Sequence, residues 1–137
     1  MDISQGNINA VLDQEEREAV VTIYQKNGDA YKGLDASDAT MTVVGSESKR
    51  VRDARDTLQK RLLNTRRLKL SPEEIRRNRI HTAAAGVTTW AGWDDGKVDV
   101  ECTPENVRSV LKLEHILEQI ESAIAEHSDF FDSPSST

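Results

Sequence analysis

Two tetrads, Ser71-Pro72-Glu73-Glu74 and Thr103-Pro104-Glu105-Asn106, constrain this chain more than any other feature. In each, a hydroxyl side chain stands one residue before a proline. A Ser or Thr at that position accepts a bond from a backbone N–H that the first helical turn leaves orphaned. Proline then supplies a preset φ and lacks only an N–H that would have been unpaired anyway. Glu74 also stands where a carboxylate completes a capping box. Helices are therefore predicted to start at Pro72 and Pro104, and the rest of the chain must be arranged around them.

Downstream of Pro72, the residues Ile80, Ala83, Ala84, Val87, Trp90 and Ala91 recur at offsets 0, 3, 4, 7, 10 and 11, the spacing of one helical face. This predicts a helix reaching Trp90, with Trp93 one turn beyond on the same face. Gly86 would cost that helix about 1 kcal/mol relative to alanine, to be offset by close packing. Asp94-Asp95-Gly96-Lys97 should break it, and Val98 to Cys102 alternates like a short edge strand. Downstream of Pro104, Val107, Val110 and Leu111 form a first apolar face. Leu113, Ile116, Leu117, Ile120 and Ile124 carry a stripe to about Ser128, with a phase shift and bend near Glu114-His115 and Phe130-Phe131 just after the end. Upstream, Ser46 or Ser48 can cap a helix over about 47–65 with the stripe Val51, Ala54, Leu58 and Leu62.

The β-branched run from Ala19 to Gln25, the turn Lys26-Asn27-Gly28-Asp29 and a second run from Ala39 to Val44 predict a small antiparallel unit of two or three strands. A hairpin of that size is not stable alone in water, so it must lie on the helices or on another copy's sheet. The expected fold class is α+β, mainly α: an N-terminal small antiparallel β-hairpin unit followed by a bundle of three to four helices. Residues 19–131 would form a single domain, with its β unit at 19–44 and its helical part at 46–131. Residues 1–18 read as a flexible N-terminal arm and 132–137 as a disordered tail.

Composition limits the chemistry. With 36% apolar, 31% charged and 4% aromatic residues in 137, the core should be thin. A single cysteine, Cys102, excludes an internal disulfide and favours a reducing compartment. No apolar run approaches the ~18 residues of a membrane span, and the start Met1-Asp2 lacks the pattern of a signal peptide, so a soluble intracellular protein is expected. Charge is segregated: residues 1–48, 49–79 and 80–137 carry −6, +8 and −8. The basic middle either neutralises its acidic flanks or presents a charged-partner patch at Arg66, Arg67, Lys69, Arg76 and Arg77.

No catalytic constellation and no cofactor motif is expected. His81, His115 and His127 stand at no metal-ligand spacing, and Cys102 reads as a small apolar residue rather than a nucleophile. The acidic turn lacks the terminal glutamate of a calcium loop. No aromatic is interleaved with the basic residues to stack a base, which argues against nucleic acid as partner. Trp90, Trp93, Phe130 and Phe131 remain open to two readings, as core or as interface anchors.

The order Trp90-Ala91-Gly92-Trp93-Asp94, Cys102-Thr103-Pro104-Glu105-Asn106-Val107, Glu118-Gln119-Ile120 and Ser128-Asp129-Phe130-Phe131 resembles the tail assembly chaperone proteins of long-tailed, siphophage-type bacteriophages. The run from Thr42 to Lys49 ahead of a basic helix fits the same pattern, so the resemblance covers about residues 39–131. It implies a non-enzymatic role in the host bacterial cytoplasm. The partners it implies are the helical tape measure protein, which such chaperones keep soluble, and the tail tube protein that polymerises around it. The protein would be absent from the mature virion. Ala84, Val87, Trp90 and Trp93, with Ile116 and Ile120, are the expected tape measure surface, joined by Phe130 and Phe131; homo-oligomerisation stays open. A structural protein of the tail or head is the alternative, followed by a nucleic-acid-binding regulator acting through the basic middle.

Overall fold

The computed structural model describes residues 18–65 and 69–132, with side chains described as far as residue 126. The expected arm at 1–18, apart from Glu18, and the expected tail from residue 133 onward lie outside the described residues, as do Arg66 and Arg67. Within them the fold is α+β, mainly α: one antiparallel sheet and four helices.

The sheet runs in the order β1 (Glu18–Thr22), β2 (Thr40–Val44), β3 (Val87–Ala91), with both pairings antiparallel. β2 is central, and its Met41 and Val43 are completely buried. Between β1 and β2 the chain makes an excursion that touches itself at two isolated bridges, Tyr24 with Ala30 and Lys32 with Asp38. The turn expected at 26–29 is present. Gln25 N–H donates to Asp29 O at 2.7 Å, and Gly28 takes φ 93°, a left-handed value that a residue without Cβ adopts at little cost.

Four helices complete the described fold, two on either side of β3 in the chain: α1 (Lys49–Thr65) and α2 (Pro72–Ala85) before it, α3 (Pro104–Leu111) and α4 (Glu114–Asp132) after it. Both capped starts form as their chemistry requires. Ser71 Oγ accepts from Glu74 N and the Glu74 carboxylate returns to Ser71 N–H, while Thr103 Oγ1 accepts from Asn106 N at 3.1 Å. The bend expected near Glu114 is a break between α3 and α4 at Lys112-Leu113. Phe130 and Phe131 fall within α4 rather than after it, because that helix continues through Asp132; their side chains lie outside the described residues.

The helix expected to reach Trp90 stops at Ala85, and Trp90 lies on β3. The cause is local. Gly86, a poor helix former, stands at the C-cap of the helix, and a Cβ added there would lie 2.6 Å from Ile124 Cδ1 and push that side chain of α4 aside. The β-branched run Val87-Thr88-Thr89 then favours a strand. Arg50 of α1 reaches across the break, its Nε donating to Ala85 O at 2.9 Å and its Nη2 to Val87 O at 3.1 Å, and so satisfies a carbonyl that the helix end leaves open. The edge strand expected at Val98 to Cys102 reduces to one bridge between Asp94 and Asp99.

A single cluster joins the layers. Ile23, Met41 and Val43 of the sheet side meet Ile80 and Ala83 of α2, Val107 and Leu111 of α3, and Ile116, Leu117, Ile120 and Ile124 of α4. α1 packs on α2 and buries Val51 and Ala54. The segregated charges partly neutralise one another inside the fold. Arg79 of α2 forks onto Glu121 of α4 at 2.6 and 3.1 Å and reaches Glu114 at 3.1 Å, and Arg76 pairs with Glu114 as well. A planar guanidinium suits this forked geometry, so the two arginines fix α2 to α4 more firmly than lysines would.

Candidate functional site

The W-x-G-W segment forms a corner. β3 ends at Ala91, and Gly92 takes φ 79°, which turns the chain so that Trp93 folds back over the sheet and donates its Nε1–H to Thr40 O at 3.0 Å. Trp90 donates to Val100 O at 2.8 Å, and Val100 N–H donates to Trp93 O at 2.8 Å. The loop between is folded by its own acidic side chains. Asp94 Oδ1 accepts from Gly96 N–H at 2.8 Å, and Asp95 Oδ1 accepts from Lys97 and Val98 N–H at 2.9 and 3.0 Å. Those backbone bonds, Val98's first, hold the Asp95 carboxyl below its ordinary pKa.

The two indoles face each other with ring centroids 5.4 Å apart, and the row continues through Tyr31, 6.1 Å from Trp93, to His115, 5.9 Å from Tyr31. Tyr31 Oη and His115 Nε2 lie 2.6 Å apart, tying this row to α4. Beside the indoles opens a pocket of about 650 Å³, walled by Trp90, Trp93 and Val100 and rimmed by Leu34 and Val98. Those rim residues are 52% and 62% exposed, large apolar side chains presented to solvent at the mouth. Asp35, Asp38 and Asp99 complete the rim.

Only part of the expected partner surface comes together here. Trp90 and Trp93 are half-buried and shared between core and pocket. Val87, Ile116 and Ile120 are 3%, 1% and 0% exposed, so they belong to the core and present nothing to a partner. The physical reason is that Val87 joins the single core cluster, and the Ile116–Ile120 side of α4 is the side laid on β2 and that cluster. Ala84 is half-buried and lines a different concavity of about 220 Å³, beside Cys102 and Val107. The Cys102 thiol is pushed above its ordinary pKa by burial, outweighing the nearby Arg50 charge, which disfavours a reactive thiolate.

The expected charged patch also divides. Arg76 is committed to Glu114 and to Lys112 O, whereas Lys69 and Arg77 are exposed. Among the described residues, no three His, Cys, Asp or Glu side chains are grouped as a metal site, and no helix is long and apolar enough to cross a membrane.

Sequence reasoning missed Tyr31, Leu34 and Gln119. Gln119 of α4 behaves as a strand substitute: its Oε1 accepts from Tyr24 N–H and its Nε2 donates to Tyr24 O, both at 2.8 Å. Its place in Glu118-Gln119-Ile120, between an exposed glutamate and a fully buried isoleucine, was the available signal. Gln119→Ala is expected to cost about 1–2 kcal/mol, two ordinary hydrogen bonds replaced by water, and to speed hydrogen exchange at the Tyr24 amide. A urea melt paired with amide exchange checks both effects. Comparison with known proteins finds no matching family model, no matching curated protein and no matching solved structure.

Proposed function

We propose that this chain is a tail assembly chaperone of long-tailed bacteriophages, a non-enzymatic protein that binds the helical tape measure protein and assists polymerisation of the tail tube. The reading rests on the motif order of residues 39–131. The observation that carries it is the tryptophan pocket, built by the W-x-G-W corner and the acidic loop that follows it. Both indole N–H groups are already satisfied by backbone carbonyls of the chain itself. What remains for a partner is apolar ring surface, held rigid and flanked by Leu34 and Val98. Rigid aromatic anchors beside aliphatic side chains are the chemistry of interface hot spots, and an apolar stripe of a helix is a fitting occupant.

The test uses rim residues whose replacement spares the core. Leu34→Asp and Val98→Asp are each expected to weaken binding of a tape measure fragment about tenfold or more, roughly 1.4 kcal/mol, with an unchanged thermal melt. Titration calorimetry reads the affinity. Full-strength binding by the folded double variant would remove the pocket from the assignment. A second reading, a structural protein of the tail or head, draws on the open face of the sheet, where Val20 is 71% exposed. Mass spectrometry of purified particles separates the two, since a chaperone is expected to be missing from them.

A further inference from the structure

Part of the basic middle is not neutralised within the fold. Arg61 of α1, Arg77 and His81 of α2, Arg108 of α3 and Lys112 just after it line one cleft of about 510 Å³ at the meeting of the three helices. Glu105 is the one carboxylate among its lining residues, and its floor is aliphatic, with Leu58 and Ile80. Among the described residues, none of the four cations Arg61, Arg77, Arg108 and Lys112 forms an ion pair, in contrast to Arg76 and Arg79 a few residues away. His81, half-buried between them, is held below its ordinary pKa, first by burial and then by the charges of Arg61 and Arg108. The cations therefore converge on the same space. In a chain of net charge −6, such a concentration of unpaired positive charge in a concavity focuses the local potential on an anion.

We propose that this cleft between α1, α2 and α3 is a docking site for an acidic segment of another protein, whose carboxylates pair with Arg61, Arg77, Arg108 and Lys112 and whose apolar side chains rest on Leu58. Three features favour a protein segment over nucleic acid. The cationic residues line a hollow, whereas a duplex backbone is best met by a protruding or broad basic surface. No tryptophan, tyrosine or phenylalanine lines the cleft to stack a base, while an aliphatic floor suits an amphipathic peptide. The acidic remainder of the chain repels a dense polyanion far more than a peptide with a few carboxylates. The proposal is independent of the tryptophan pocket and of any role in tail assembly.

The probe is a short synthetic amphipathic helix with glutamates flanking a leucine stripe, titrated into the full chain at low and at physiological salt. Saturable binding that weakens with salt is expected, with loss of about tenfold or more in Arg61→Glu and again in Arg77→Glu, both exposed and remote from the core. Proton NMR supplies a second readout: the His81 ring should titrate at higher pH in the complex, because bound carboxylates offset the arginine charges. The proposal is overturned if the peptide fails to bind, or if a short DNA duplex binds through the same arginines and the peptide does not. It is equally overturned if light scattering finds the protein self-associating in a manner abolished by the charge reversals, because the occupant would then be a second copy of this chain.

Discussion

Replacing Gly92 by alanine is expected to destabilise the protein by about 2–5 kcal/mol, the sum of a left-handed backbone penalty and a steric one. Gly92 has φ 79°, and a Cβ built there would lie 2.9 Å from Ala39 Cα and 2.9 Å from Asp38 O, backbone atoms of the run leading into the central strand that cannot swing away. The opposing Gly33 is just as close on the other side: its own Cβ would meet Gly92 Cα at 2.8 Å. The excursion between β1 and β2 thus leans on the W-x-G-W corner through two bare backbones. The internal control is Gly96→Ala. Gly96 has φ 94° but nothing within 4 Å of an added Cβ, so only the conformational cost, about 1–2 kcal/mol, should appear. Urea unfolding followed by tryptophan emission measures both, and Gly92→Ala should also shift the native emission, because the corner that holds Trp93 over Thr40 is displaced. Equal costs for the two variants would mean that the backbone contact at Gly92 contributes nothing.

That corner also marks where the sequence stopped being legible. The capped starts at Ser71 and Thr103 could be read because capping is decided within four residues, and the turn at Gly28 is equally local. Val87 and Trp90 misled because they stand three apart, as neighbours on a helix face do. In the structure they share the core face of a strand instead. The ladder pairs Thr89 with Thr42 and Val87 with Val43, so Thr88 is an extra residue, and the bulge it makes returns Val87 and Trp90 to the same side of the sheet. A period-three spacing on a strand is invisible to a rule that assigns periods of two to sheets. The glycine and the β-branched triplet after it are the contrary signals, and the apolar stripe points the other way. The pocket could not be read for a different reason: Leu34, Trp90 and Val98 are brought together by tertiary contacts across the Gly33–Gly92 approach, which no local pattern encodes.

The same distinction between stripe and surface leads to the second large effect. Ile120→Ala is expected to lower stability by about 2–5 kcal/mol, the usual range for truncating a buried isoleucine whose cavity cannot collapse fully. Ile120 is 0% exposed within the cluster that joins the sheet to α4, and the preceding Gln119 holds the Tyr24 backbone, so neither side of the site is free to close over the gap. Ile116→Ala, at 1% exposure one turn earlier, should behave alike. If these residues act only as core, partner binding measured on folded protein, well below the denaturation midpoint, should match the wild type despite the reduced stability. Val98→Asp should give the opposite pairing, with stability retained and binding lost. Denaturant melts and calorimetric titrations on the three variants therefore form a crossed design. A loss of affinity in folded Ile120→Ala as large as in Val98→Asp would require a bound state in which α4 lifts from the sheet and exposes its apolar stripe to the partner.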